Sequence, residues 1–127
     1  MRILICGDIV GRSGRKAITE HLPKLRDRYR VDFVIINGEN AAGGFGITPK
    51  ICNEFFKAGA DAITTGNHVW DQREIIPHFD KEPRILRPAN FPKGTPGKGV
   101  AQLTDAQGRG VVVFNLMARL FMDPLDD

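Results

Sequence analysis

The chain reads as an α/β protein built on a parallel sheet flanked by helices. Three observations predict it. Apolar runs at residues 2–6, 33–36 and 62–65 recur about one strand–helix–strand unit apart. Segments with helical periodicity separate them. Each run ends in a glycine-bearing polar cluster, Gly7-Asp8, Gly38-Glu39-Asn40 and Gly66-Asn67-His68, which is where open α/β sheets carry their ligands.

Residues 2–6 form the first strand. A glycine turn, Gly7 to Gly14, leads into a helix over about 15–29, where Ile18, Leu22, Leu25 and Tyr29 share one apolar face. Pro23 is expected to kink this helix or end its first segment, because proline lacks the amide that the helix interior needs. Phe33-Val34-Ile35-Ile36 has no polar interruption, the mark of a strand covered on both faces. After the loop 39–46, Thr48 and Pro49 supply an N-cap and a first helical residue, Ile51 and Phe55 an inward face, and Gly59 the helix stop.

Ala62-Ile63-Thr64-Thr65 is the third strand, and Asp71 with Glu74 makes a capping box for a short helix cut by Pro77. This alternation implies parallel strands joined by right-handed crossovers. Ile85-Leu86 then suggests a short strand. Pro88 to Gly99 is a proline-rich loop, and strands over about 100–104 and 111–116 flank the turn 105–110 as a hairpin.

A length of 127 residues suits one domain with a real core. The excess of 18 Lys+Arg over 15 Asp+Glu is too small to demand nucleic acid, and RNA stays open as a partner. Arg26, Arg28 and Arg30 read as a solvated helix end. Arg12, Arg15 and Lys16 lie beside the first strand-end loop and suit a phosphate as well as they suit solvent. Cys6 and Cys52 belong to no metal or redox pattern and read as core residues. The opening apolar run is cut short by Asp8, so no signal or membrane segment is expected there and a cytoplasmic location is the default.

Two carboxylates, two amides and an imidazole gathered at three strand ends make a divalent-metal site plausible chemistry. Each residue also has a plainer reading. Asp8, Asn40 and Asn67 are ordinary turn residues, and His68 could serve structure alone. Glu39 is harder to explain that way, since a glutamate after four apolar residues gains nothing from strand propensity. Trp70 and Asp71 are expected to pack and cap, and His21 and His78 to lie at the surface. A rival from another class is a Rossmann-like nucleotide-binding module using the Gly7-Gly14 turn. Asp8 opposes it, because a carboxylate would stand where a pyrophosphate must sit.

Three segments closely resemble the YmdB-like branch of the calcineurin-like metallophosphoesterases: Gly7-Asp8-Ile9-Val10-Gly11, Asn37 to Gly46, and Thr65-Gly66-Asn67-His68-Val69-Trp70-Asp71. Arg87-Pro88-Ala89-Asn90 and Pro124-Leu125-Asp126-Asp127 add to the likeness. Val10 replaces the histidine of the wider superfamily's Asp-x-His, and Glu39-Asn40 its Gly-Asp pair, departures that this branch shares. The resemblance implies that Asp8, Glu39 and Asn40 hold one metal, while Glu39 bridges to a second that Asn67 also holds. His68 would be the proton donor.

The implied metals are iron or manganese, with magnesium open, and the implied substrates are 2′,3′-cyclic nucleotides or related phosphodiesters. The family completes its metal sites with later histidines, whereas the only histidines here are His21, His68 and His78. The chain is therefore expected to be the N-terminal part of one metallophosphoesterase-like domain. It would form half of a four-layer sandwich, inactive by itself and with an exposed face that favours a homo-oligomer.

Overall fold

The computed structural model describes residues 1–118, so the resemblance at Pro124–Asp127 lies outside the described residues. Four parallel strands, β1 (Ile3–Asp8), β2 (Phe33–Asn37), β3 (Ala62–Thr64) and β4 (Ile85–Leu86), form one sheet in the order β1-β2-β3-β4. Helix α1 (Gly11–Tyr29) joins the first two strands and α2 (Pro49–Ala58) the next two, while a short 3-10 helix (Arg73–His78) precedes β4. Strands β5 (Val100–Thr104) and β6 (Gly110–Phe114) pair antiparallel, Val100 opposite Phe114, as a separate two-stranded sheet. No helix among the described residues is long and apolar enough to cross a membrane.

The strand period of two divides the core. Val34, Ile36, Ile63 and Ile85 point to one face, where Ile18 and Leu22 of α1 and Ile51, Cys52 and Phe55 of α2 bury them. Phe33, Ala62 and Leu86 point to the other, against Ala101, Val111 and Val113 of the hairpin. β2 is thus covered on both sides, as its unbroken apolar run predicts. β1 is not: Ile3 and Ile5 are exposed, Ile5 by 70%. Among the described residues β1 borders the sheet, and the hairpin packs on β2, β3 and β4 instead.

Helix α2 follows its signals. The Thr48 hydroxyl accepts from Ile51 N at 3.2 Å, and Gly59 closes the helix at φ 108°. Helix α1 departs from expectation twice. It starts at Gly11 and runs unbroken through Pro23. It also buries only Ile18 and Leu22, leaving Leu25 and Tyr29 exposed. Leu25 faces an open groove with Cys6 and Leu22 beside β1, which no further strand covers among the described residues.

Two other surface assignments need correction. Arg26 is no solvated helix end: its guanidinium reaches Asp61 at 2.8 Å and the Asp32 carbonyl at 3.1 Å. This ties α1 to the starts of β2 and β3, since Asp61 also accepts from Val34 N at 2.8 Å. His78 is half-buried, and its Nε2 is enclosed without a hydrogen-bond partner among the described residues.

Candidate functional site

The three polar clusters lie at the carboxyl ends of β1, β2 and β3, which the register brings side by side. Asp8 pairs with Asn37 across β1–β2, and Asn37 with Thr64 across β2–β3. Backbone hydrogen bonds then stitch the loops beyond the strands: Ile9 N to Asn37 O, Gly11 N to Asn40 O, and Gly38 N to Thr64 O, each about 3 Å.

Within this frame the side chains meet in two pairs. Asn40 Nδ2 donates to the exposed Asp8 carboxylate at 2.8 Å, which commits the amide nitrogen and leaves Oδ1 as an oxygen donor. Glu39 is oriented by Asn37, whose Oδ1 accepts from Glu39 N at 3.0 Å and whose Nδ2 donates to Oε1 at 3.3 Å. The glutamate lies directly against Gly66, where a Cβ would overlap its carboxylate. Glu39 and Asn67 accordingly line one cavity of about 280 Å³ with Asn37, Asn115 and Met117.

His68 belongs to a neighbouring feature. Its Nδ1 lies 2.7 Å from Asp71 Oδ2. An ionised carboxylate can only accept, so Nδ1 carries a proton toward Asp71 and Nε2 is the nitrogen left for other partners. The expected capping box is therefore overturned: Gln72 precedes the 3-10 helix without a side-chain cap, and Asp71 is spent on His68. The Phe45 ring stands edge-on to His68, centroids 5.3 Å apart. Of the nearby basic residues, Arg15 donates to the Ala41 carbonyl at 2.6 Å, fastening α1 to the glycine-rich loop.

Asn37, Asp71 and Asn115 emerged only in three dimensions. Asp71 had a signal, a carboxylate three residues after a histidine, but that spacing also spells a helix cap. Asn115 had none. Its buried amide donates to the carbonyls of Thr65 at 2.8 Å and Leu86 at 3.0 Å, clasping β6 to the ends of β3 and β4. Asn90 then exchanges two hydrogen bonds with the Met117 backbone, at 2.8 and 3.1 Å, and this fixes the segment that walls the cavity.

The donor set is all oxygen: carboxylates of Asp8 and Glu39, amides of Asn40 and Asn67. Such donors suit a hard or borderline divalent cation. Among the described residues, no group of three or more His, Cys, Asp or Glu gathers in the manner of a complete metal centre. The oxygens fit as one side of such a centre.

The rival dinucleotide reading does not suit this topology. Dinucleotides bind where strand order reverses beside the first strand, whereas among the described residues the sheet runs one way, from β1 to β4.

Comparison with known proteins gives a consistent picture. The model of the YmdB-like protein family matches residues 4–127. A Bacillus subtilis (strain 168) protein named 2′,3′-cyclic-nucleotide 2′-phosphodiesterase is 53% identical over 127 residues, all of this chain and 48% of that protein. The crystal structure of a hypothetical protein from Thermus thermophilus superposes with a TM-score of 0.92 at 44% identity, over 100% of this chain and 49% of that one. A structure described as a novel phosphatase from Mycoplasma pneumoniae gives 0.88 at 27% identity, over 98% and 46%. The chain thus spans about half the length of the relatives it matches.

Proposed function

The chain belongs to the YmdB-like protein family, and from that premise we propose that it carries the oxygen-ligand side and the proton donor of a metal-dependent phosphodiesterase. The substrates are 2′,3′-cyclic nucleotides or related phosphodiesters. The observation that carries the reading is the contact of Glu39 with Gly66, which brings the second strand-end cluster against the third. The name of the 53% identical Bacillus relative supports the substrate class.

Asp8, Glu39, Asn40 and Asn67 would hold two divalent cations, iron or manganese with magnesium as the further option, with Glu39 shared between them. When bound, such ions supply Lewis acidity toward a phosphoryl group and a nucleophile at neutral pH. The chain's own residues do the rest. Asn37 holds the Glu39 carboxylate in place, and Asn40 orients Asp8. Asp71 holds the His68 ring by Nδ1, so the imidazolium, protonated on both nitrogens, would give its Nε2 proton to the ribose oxygen that departs when the cyclic ester opens. Such proton transfer is typically worth about 10²–10⁴-fold. The imidazoles expected to complete the centre are not among the 127 residues, so the chain by itself should bind metal weakly and turn over little.

A graft tests this. These 127 residues replace the matched half of the Bacillus phosphodiesterase, and hydrolysis of a 2′,3′-cyclic nucleotide is followed with manganese present. The graft should be active, and Glu39→Gln should abolish both activity and retained metal. An inactive but folded graft, or one indifferent to Glu39→Gln, would remove the reading.

A further inference from the structure

Phe45 is 60% exposed, an apolar ring that the fold does not need for its core. Its backbone is nevertheless held firmly. Gly44 N bonds to Asn40 O at 2.9 Å, Ala42 N to Gly46 O at 2.8 Å, and Gln72 Nε2 donates to the Phe45 carbonyl at 2.8 Å. Gly43, Gly44 and Gly46 take φ values of 75°, 102° and 76°, the left-handed region that side chains resist. Gly46 also packs so closely on the following segment that a Cβ there would come within 2.9 Å of His68 O. A tight glycine turn therefore presents one exposed aromatic ring, edge-on to His68 at a centroid distance of 5.3 Å.

We propose that Phe45 is the stacking platform for the nucleobase of the substrate, a specificity-determining residue beside the proton donor. The inference rests on the cyclic-nucleotide reading above. If His68 delivers its proton to the 2′ or 3′ oxygen, the ribose lies against His68, and the glycosidic nitrogen is only a few bonds from either oxygen. The base must then lie within a ring's width of His68, on a side where the chain offers an aromatic surface. Aromatic stacking accepts purines and pyrimidines alike, because every base has a π-face. A pre-set ring also loses little freedom when the base arrives. The platform accordingly selects nucleotides over base-free phosphodiesters without choosing among the bases.

The test titrates the 127-residue chain, in magnesium, with 2′,3′-cyclic AMP and with methyl riboside 2′,3′-cyclic phosphate, which lacks a base, following saturation transfer by NMR. Phe45→Ala and Phe45→Leu should weaken nucleotide binding about five- to a hundredfold, the range that base stacking supplies. They should leave the base-free ligand unchanged, and Phe45→Trp should restore the nucleotide. Phe45→Leu keeps apolar bulk without a π-face, and circular dichroism verifies the fold of each variant. Equal losses for both ligands, or none for either, would overturn the platform while leaving the phosphodiester reading standing. A folded graft that does not hydrolyse a 2′,3′-cyclic nucleotide would sink that reading, and the platform with it.

Discussion

Asp71 Oδ2 lies 2.7 Å from Nδ1 of His68, three residues earlier, so one turn of chain both bears the imidazole and chooses which of its nitrogens stays free. Asp71→Ala should release the ring. In the 127-residue chain, nitrogen chemical shifts of His68 should move from the Nδ1–H tautomer toward the Nε2–H form that free histidine favours. In the grafted enzyme, His68→Ala should cost about 10²–10⁴-fold in kcat with metal retained, and Asp71→Ala a smaller part of that. Unchanged tautomer shifts in Asp71→Ala would refute the orienting role.

Asn115 is the clasp between the hairpin and the parallel sheet, donating to Thr65 and Leu86. Asn115→Leu leaves the Thr65 carbonyl buried without its donor, which should cost about 1–3 kcal/mol. Urea unfolding would read this as a lower midpoint at constant slope. Chemical shifts of Met117 should change as well, because the cavity wall hangs from the same clasp.

The two thiols should differ in reactivity. Burial pushes the Cys52 thiol up to about 12, with the Glu82 charge adding to the rise. A raised value means less thiolate, about one part in ten thousand at pH 8, and thiolate is the reacting form. Burial also raises Cys6, which is only half-buried. Iodoacetamide at about pH 8 should therefore modify Cys6 slowly and Cys52 only after unfolding, as peptide mass spectrometry would resolve. Prompt native labelling of Cys52 would contradict its burial in the α2 core.

Acid should weaken the packing beneath α2. Glu82 receives two hydrogen bonds from the Arg84 guanidinium, at 2.7 and 2.6 Å, which hold its carboxyl below the usual range. A depressed folded value means that this stabilisation is complete above about pH 4.3, the ordinary value. It fades as pH falls through the lower one. Glu82→Gln should lower Tm by about 2–5 °C at neutral pH, and the gap to the unmodified chain should narrow as pH falls below the ordinary carboxyl value. A gap that widened toward low pH would reverse the assigned sign.

Much of the scaffold was legible from residue types with local causes. Thr48, Pro49 and Gly59 bound α2 through hydrogen bonds and dihedral preferences that act within one turn. The run Phe33–Ile36 read as a doubly covered strand because four successive apolar residues have no solvent side to spare. What failed depended on neighbours. Ile3 and Ile5 resemble the β2 run in type, yet their exposure follows from β1 lying at the border of the sheet. Pro23 is accommodated within α1 despite its expected break. Asp71 serves His68 although its spacing to Glu74 spells a cap, and tertiary position decided between the two uses. The strand-end clusters could be placed from sequence because strand ends are local. The partners of Asn115 could not, being 50 and 29 residues away.

The contact of Glu39 with Gly66 has a consequence for descent. The two positions share one volume, so they cannot drift independently. A lineage that keeps the carboxylate at this place keeps the glycine, and one that admits alanine has swung the carboxylate aside or given it up. That position is then a marker readable in any related chain. An empty Cβ place there records that the carboxylate of the second strand end still reaches the third.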